Sequence, residues 1–146
     1  MRFDKVPEHV TRAMRSNKSS GTKPETQLCS ALWRSGVRGY RRNYRMAAGT
    51  PDVYFTRAKV AVFVNGCFWH SCPHCRPRVP KTNTEFWSEK FARNRERDAR
   101  VRKILKAEGR KVVTVWECML KSSVKRQVRR VIRALAPPAG IEPATT

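Results

Sequence analysis

A small α/β domain built on a mixed sheet is the fold class this sequence predicts. Asp52-Val53-Tyr54-Phe55, Val60–Val64 and Lys111–Trp116 are short apolar runs of strand length, bounded by turn residues. Between the second and third runs, from Thr84 to about Glu108, apolar residues recur at helical spacing. Helical patterns also flank the strands at both ends, so helices would pack on the sheet. A chain of 146 residues fits one domain that buries its core without disulfide support.

The elements follow in chain order. Residues 1–23 are polar and basic, with Arg12, Arg15 and Lys18, and Met14 is the large apolar residue of that arm's second half. Such a segment reads as a disordered basic arm that orders on DNA, or as a plain floppy terminus. Thr22-Lys23-Pro24-Glu25 opens a first helix, with Thr22 as cap, Pro24 in the first turn and Glu25 three residues beyond the cap. Leu28, Leu32 and Trp33 form its apolar face through about Ser35, and Cys29 is a core residue. Tyr40–Arg45 is extended. Gly49-Thr50-Pro51 is a turn leading into Asp52–Phe55, and the tight link Thr56-Arg57-Ala58 joins that run to Val60–Val64 as a hairpin. Phe86, Trp87, Phe91, Val101, Ile104 and Leu105 are the apolar positions of the long helix, which Gly109 stops. A basic amphipathic helix spans Val124 to Leu135. The main domain is therefore 24–135, and the Pro/Ala-rich tail 136–146 is expected to be disordered.

Thirty-two Lys and Arg stand against 11 Asp and Glu, a formal net charge of +21. That excess goes beyond what solubility requires, and a nucleic acid is the simplest partner. No apolar run reaches the roughly 18 residues of a membrane span. The N-terminal residues have no apolar signal core, so the expected location is the cytoplasm. Five cysteines in that compartment are metal ligands or core residues rather than disulfides.

The densest chemistry lies in Val64-Asn65-Gly66-Cys67-Phe68-Trp69-His70-Ser71-Cys72-Pro73-His74-Cys75. Its C-x4-C-x2-C spacing, launched from a strand, is most of a tetrahedral thiolate site. Cys118, at the end of a neighbouring strand, can complete Cys67, Cys72 and Cys75, and His74 competes for one position. Soft thiolates favour Zn²⁺ in a closed structural site. Phe68 and Trp69 read as exposed aromatics placed for insertion. Asp52, an acid in a basic domain, has the position of a Mg²⁺ ligand against a phosphate, with a carbonyl near Val64 or Asn65 assisting; the alternative is a turn aspartate satisfying its own backbone. His70 does not fit the cysteine spacing and is a general-base candidate or a surface histidine. Asn94 and Asp98, four apart on the long helix, orient it or pair with neighbouring arginines.

Together these residues resemble the very-short-patch-repair (Vsr-type) DNA mismatch endonucleases. The resemblance covers about Met14 to Met119. It rests on Met14-Arg15-Ser16, Thr22-Lys23-Pro24-Glu25, Gly49-Thr50-Pro51-Asp52, Val62–His70, Pro80-Lys81-Thr82-Asn83, Phe86-Trp87, Asn94–Asp98 and Val115-Trp116-Glu117-Cys118. It implies a restriction-endonuclease-like mixed sheet flanked by helices, with a structural zinc knuckle. It also implies a Mg²⁺-dependent nick beside the T of a T:G mismatch left by deamination of 5-methylcytosine, which begins very short patch repair. By motif, Asp52 and the Val64 carbonyl would hold Mg²⁺, His70 would be the base and Asp98 its partner. Glu25 would reach the site through water or metal. Phe68 and Trp69 would wedge beside the mismatch, with Met14 entering from the arm. Cys67, Cys72, Cys75 and Cys118 would bind zinc.

Asn65 stands where a second histidine often lies in that family; it can hydrogen-bond a phosphate but cannot carry a proton. Val64 replaces a threonine, and the knuckle has cysteine where other members use histidine. A monomer acting on mismatched duplex DNA, with other repair proteins as further partners, is the expected assembly. The rival readings are a zinc-stabilised module that binds DNA or RNA without cutting it, and a restriction-type nuclease of other specificity.

Overall fold

A computed structural model describes residues 23–136. The expected arm with Met14, and the tail beyond Ala136, lie outside the described residues. The elements are α1 (Lys23–Arg34), β1 (Tyr40–Arg42), β2 (Val53–Phe55), β3 (Val60–Asn65), α2 (Thr84–Ala107), β4 (Lys111–Trp116), α3 (Glu117–Ser122) and α4 (Val124–Leu135). The strands form one mixed sheet in the order β1-β2-β3-β4.

The hairpin expected from the short link is present: β2 and β3 are antiparallel, with Val53 opposite Val62 and Phe55 opposite Val60. β1 adds on the outside, with Arg42 opposite Val53. β4 returns after the long helix and pairs parallel to β3, Val64 facing Val115 and Asn65 facing Trp116. Residues that alternate along these strands point to opposite faces. Val53, Phe55, Val60, Val62, Val64, Val113 and Val115 face α1 and α4, meeting Leu28, Leu32, Val128 and Val131. Tyr54, Ala61, Phe63 and Val112 face α2, meeting Val101 and Leu105. The result is a sheet between two helical layers. Both faces are covered, which is why β3 reads as an unbroken apolar run.

Helix ends follow local chemistry. Gly109 follows α2 with φ 83, a left-handed conformation cheap only for glycine. Ser123 caps α4 by accepting from the Arg126 N–H. At the other end of α4, the Lys111 ammonium donates to the carbonyls of Ala134 and Ala136. The short α3 was not among the expected elements. Trp33 is not a core residue either. It is 56% exposed, and the Arg38 guanidinium lies 3.3 Å over its ring. No described helix is long and apolar enough to cross a membrane.

Candidate active site and metal centre

A cleft of about 950 Å³ opens where the ends of β3 and β4 meet α2 and the N-terminus of α1. Asp52, Val64, Asn65, Phe68, Trp69, His70, Asn94 and Asp98 line it.

Asp52 immediately precedes β2 and is held from two sides. The Asn43 N–H donates to its carbonyl at 2.9 Å, and the N–H groups of Tyr44 and Met46 continue that ladder to Pro51 and Gly49. The Val64 N–H donates to its Oδ2 at 2.7 Å. Gly49 lets this loop seat on α2, because a Cβ there would come within 3.0 Å of the Val101 side chain. Burial pushes the Asp52 carboxyl up to about 6; the Val64 N–H and nearby His70 pull it down, and Glu25 adds to the rise. Glu25 itself is fully buried on α1, and the Arg42 guanidinium on β1 donates to its Oε1 at 3.3 Å. Asp52, partly desolvated at the cleft beside the end of β3, offers the hard oxygen donor that a divalent cation takes, and so fits Mg²⁺; Glu25 does not line the cleft.

His70 sits on the turn after β3. Its Nδ1 lies 2.7 Å from Asp98 Oδ2 on α2, which leaves Nε2 as the ring's other nitrogen. One turn earlier on α2, Asn94 Nδ2 donates to the Trp69 carbonyl at 2.7 Å. The i,i+4 pair thus grips two consecutive residues, Trp69 through its backbone and His70 through its ring. Arg97 in turn donates to Asn94 Oδ1 at 3.2 Å.

Phe68 and Trp69 differ from the expected bare aromatics. Both are half-buried. Phe68 packs edge-on against Trp87 and Phe91, with ring centroids 5.3 and 5.1 Å away. Trp69 lies 5.7 Å from Trp87. The physical reason is that Trp87 and Phe91, one turn apart on α2, form an apolar platform beside the knuckle; a free pair would leave that surface wet. The pair nevertheless borders the cleft. Asn65 is buried at the end of β3 and also borders it.

Beside the cleft, the Sγ atoms of Cys67, Cys72, Cys75 and Cys118 all lie within 4.8 Å of one another, a group that could hold a metal ion. The parallel β3–β4 register produces this meeting. It places Cys67, two residues past β3, next to Cys118, two past β4, whose N–H donates to Cys67 Sγ at 3.3 Å. His74 is not in the group; its ring lies edge-on to Trp116, and it contributes a backbone N–H to Cys72 Sγ at 3.4 Å. Burial pushes the Cys67 and Cys118 thiols up. Cys72 meets the same penalty of burial, but the N–H groups of Cys75 and His74 outweigh it and hold the thiol below its usual range. Cys29 is a core residue, as its helical position predicts.

Four further groups line the cleft that sequence reasoning did not single out: Lys23, Lys90, Arg102 and Glu117. The net charge signalled cations somewhere, but among 32 of them nothing marks Lys23, Lys90 and Arg102 as cleft residues, and Glu117 stands only as part of the Val115–Cys118 motif.

Most of the chain matches known proteins. A family model described as DNA mismatch endonuclease Vsr matches residues 3–76. The type II nicking enzyme V.NaeI of Lentzea aerocolonigenes is 47% identical over 112 residues, covering 73% of this chain and 66% of that protein. V.NmeAIP, a type II nicking enzyme of Neisseria meningitidis serogroup A, is 40% identical over 121 residues, covering 80% and 84% respectively. The DNA mismatch endonuclease Vsr of Escherichia coli K12 is 37% identical over 123 residues, covering 82% and 78%.

Proposed function

Because the chain belongs to the Vsr family of DNA mismatch endonucleases, we propose that it nicks duplex DNA beside the thymine of a T:G mismatch, by Mg²⁺-dependent phosphodiester hydrolysis. The mismatch is the kind left by deamination of 5-methylcytosine, and the nick would begin very short patch repair. The protein would act as a cytoplasmic monomer, through domain 24–135, with the arm 1–23, including Met14, reaching the DNA and the tail 136–146 taking no part. The observation that carries this reading is the meeting, in one cleft, of Asp52 with a histidine–carboxylate pair and two aromatic rings.

Asp52 and the Val64 carbonyl would hold Mg²⁺, with Glu25 behind Asp52. Bound there, the ion would neutralise charge on the scissile phosphate and stabilise the leaving oxygen. His70 Nε2 takes the proton from the attacking water, while Asp98 on Nδ1 fixes the ring's tautomer and stabilises its protonated form. Asn65 can donate to a phosphate oxygen but cannot transfer a proton, so one histidine carries the base role. Phe68 and Trp69 enter the base stack beside the mismatch, where a wobble pair resists unstacking less than a Watson–Crick pair. Both rings border the cleft while packed on Trp87 and Phe91, so the platform can hold them as their exposed edges meet the bases. The four thiolates would bind Zn²⁺ as a structural ion that holds the turn bearing Phe68, Trp69 and His70.

Nicking of short duplexes carrying T:G, U:G or T:A at one position tests the reading. Wild type with Mg²⁺ should nick T:G preferentially. Asp52→Ala should abolish nicking while keeping T:G binding, and His70→Ala should slow it by ~10²–10⁴-fold, the usual worth of a general base. Asp98→Ala should cost less. Nicking by Asp52→Ala at the wild-type rate refutes the metal assignment. Equal nicking of all duplexes makes the chain a nuclease of other specificity, and no nicking of any makes it a binding module.

A further inference from the structure

The α4 helix carries five basic residues and no acidic one. One of them, Arg130, turns inward and donates to the Thr114 carbonyl at 3.0 Å and to Gln127 Oε1 at 2.8 Å. The other four, Lys125, Arg126, Arg129 and Arg133, are exposed. Among the described residues no carboxylate pairs with any of their side chains, although such pairs form elsewhere, as at Arg42–Glu25 and Arg110–Glu108. Lys125, Arg129 and Arg133 are spaced i, i+4, i+8. They therefore form one stripe along the helix, about 12 Å long at 1.5 Å per residue.

This stripe does not belong to the cleft. α4 and α1 cover one face of the sheet, and α2, with the catalytic pair's Asp98, covers the other. α1 measures the separation within its own layer. Pro24 at its N-terminus lines the cleft, whereas Ala31, Arg34 and Ser35 near its C-terminus line a groove with Lys125, Val128 and Arg129. Ten residues of helix between Pro24 and Arg34 are about 15 Å. Arg34, also exposed and unpaired with any described carboxylate, extends the stripe across the groove.

We propose that this face is a second DNA-contact surface, one that grips the phosphate backbone of a duplex segment other than the segment in the cleft. An unopposed row of exposed cations matches a row of phosphates, and phosphate contacts position a protein without carrying sequence information. A protein that must find a rare mismatch gains from such a hold, because it can stay on long DNA while the cleft samples another segment. The proposal rests on the reading of the chain as a DNA-acting enzyme but not on T:G specificity.

The test compares wild type with K125Q/R129Q/R133Q. The three side chains are exposed, so the variant should keep its melting temperature. The control K125R/R129K/R133K retains the charges. The probe is a short matched duplex, about 12 base pairs and so roughly 40 Å long, titrated at low salt with stoichiometry read by sedimentation. Wild type and the charge-retaining control should bind two duplexes per chain, and the glutamine variant one. The dependence of the second binding step on salt should correspond to about three phosphates, a slope near 2.7. Single-turnover nicking of a short T:G duplex should be the same in all three proteins, which separates failure of this proposal from failure of the nicking function. If wild type binds one duplex only, the proposal is overturned and the stripe is left to an acidic protein surface. Two duplexes on the glutamine variant overturn it equally.

Discussion

Asp52→Asn should make this protein more stable in Mg²⁺-free buffer, and by an amount that depends on pH. Burial raises the Asp52 carboxyl from an ordinary 3.8 to about 6 in the folded chain. Below pH 3.8 the carboxyl is neutral in both states and costs nothing. As pH rises towards 6, the unfolded chain gives up its proton first, so unfolding is progressively favoured. Above pH 6 both states are ionised and the whole penalty is present. About two units at 1.36 kcal/mol each is roughly 3 kcal/mol. Asparagine keeps an oxygen to accept the Val64 N–H and carries no charge. The variant should therefore gain up to about 3 kcal/mol at pH 8, or roughly 8–10 °C in melting temperature for a domain of this size. At pH 5 the gain should fall to about half, because the folded carboxyl is then mostly protonated. Urea denaturation at the two pH values reads this directly. Added Mg²⁺ should then stabilise wild type by mass action and leave Asp52→Asn unmoved. A variant no more stable than wild type at pH 8, or a gain that does not shrink at pH 5, refutes the claim that this carboxylate is held at a cost for binding a cation.

Two predictions concern the neighbouring knuckle. The purified protein should contain about one Zn²⁺ per chain, and Cys67→Ser or Cys118→Ser should lower zinc content and melting temperature together; well-folded, zinc-free wild type would contradict the site. Phe68→Ala should reduce discrimination of T:G over T:A with little change in nonspecific affinity, which phosphate contacts supply. It should also cost stability, below the ~3–5 kcal/mol of a fully buried Phe→Ala because the ring is only half-buried. Equal binding losses on both duplexes would make the ring purely a packing residue.

The cleft also explains why its parts need one another. Asn94 and Asp98 are fixed by α2, whereas Trp69 and His70 ride on a turn that the cysteine cluster closes on its other side. Loss of either anchor would let the turn drift. Positioning within fractions of an ångström is what separates a productive base from an idle one.

Much of this was legible in the residues themselves. Strands β2, β3 and β4 follow from apolar runs of the right length, because burial on both faces requires apolar side chains at every position. The hairpin follows from its short link, and the end of α2 from Gly109. Three of the four thiolates follow from C-x4-C-x2-C, since metal-ligand spacing is a local property of a turn, while Cys118 arrives through the β3–β4 register. Tertiary structure alone decided how distant pieces meet. That Cys75 rather than His74 joins the sulfur group and that Arg42 pairs with Glu25 depend on how the layers pack around the sheet; the Asp98–His70 pairing was implied by the family resemblance, and the packing of α2 supplies its geometry. No local periodicity encodes a contact across 28 residues, as between His70 and Asp98. Phe68 and Trp69 show the limit most plainly. Their composition reads as exposed, but the platform that half-buries them belongs to a helix about 20 residues later, and only the packing of that helix against the end of β3 brings the two surfaces together.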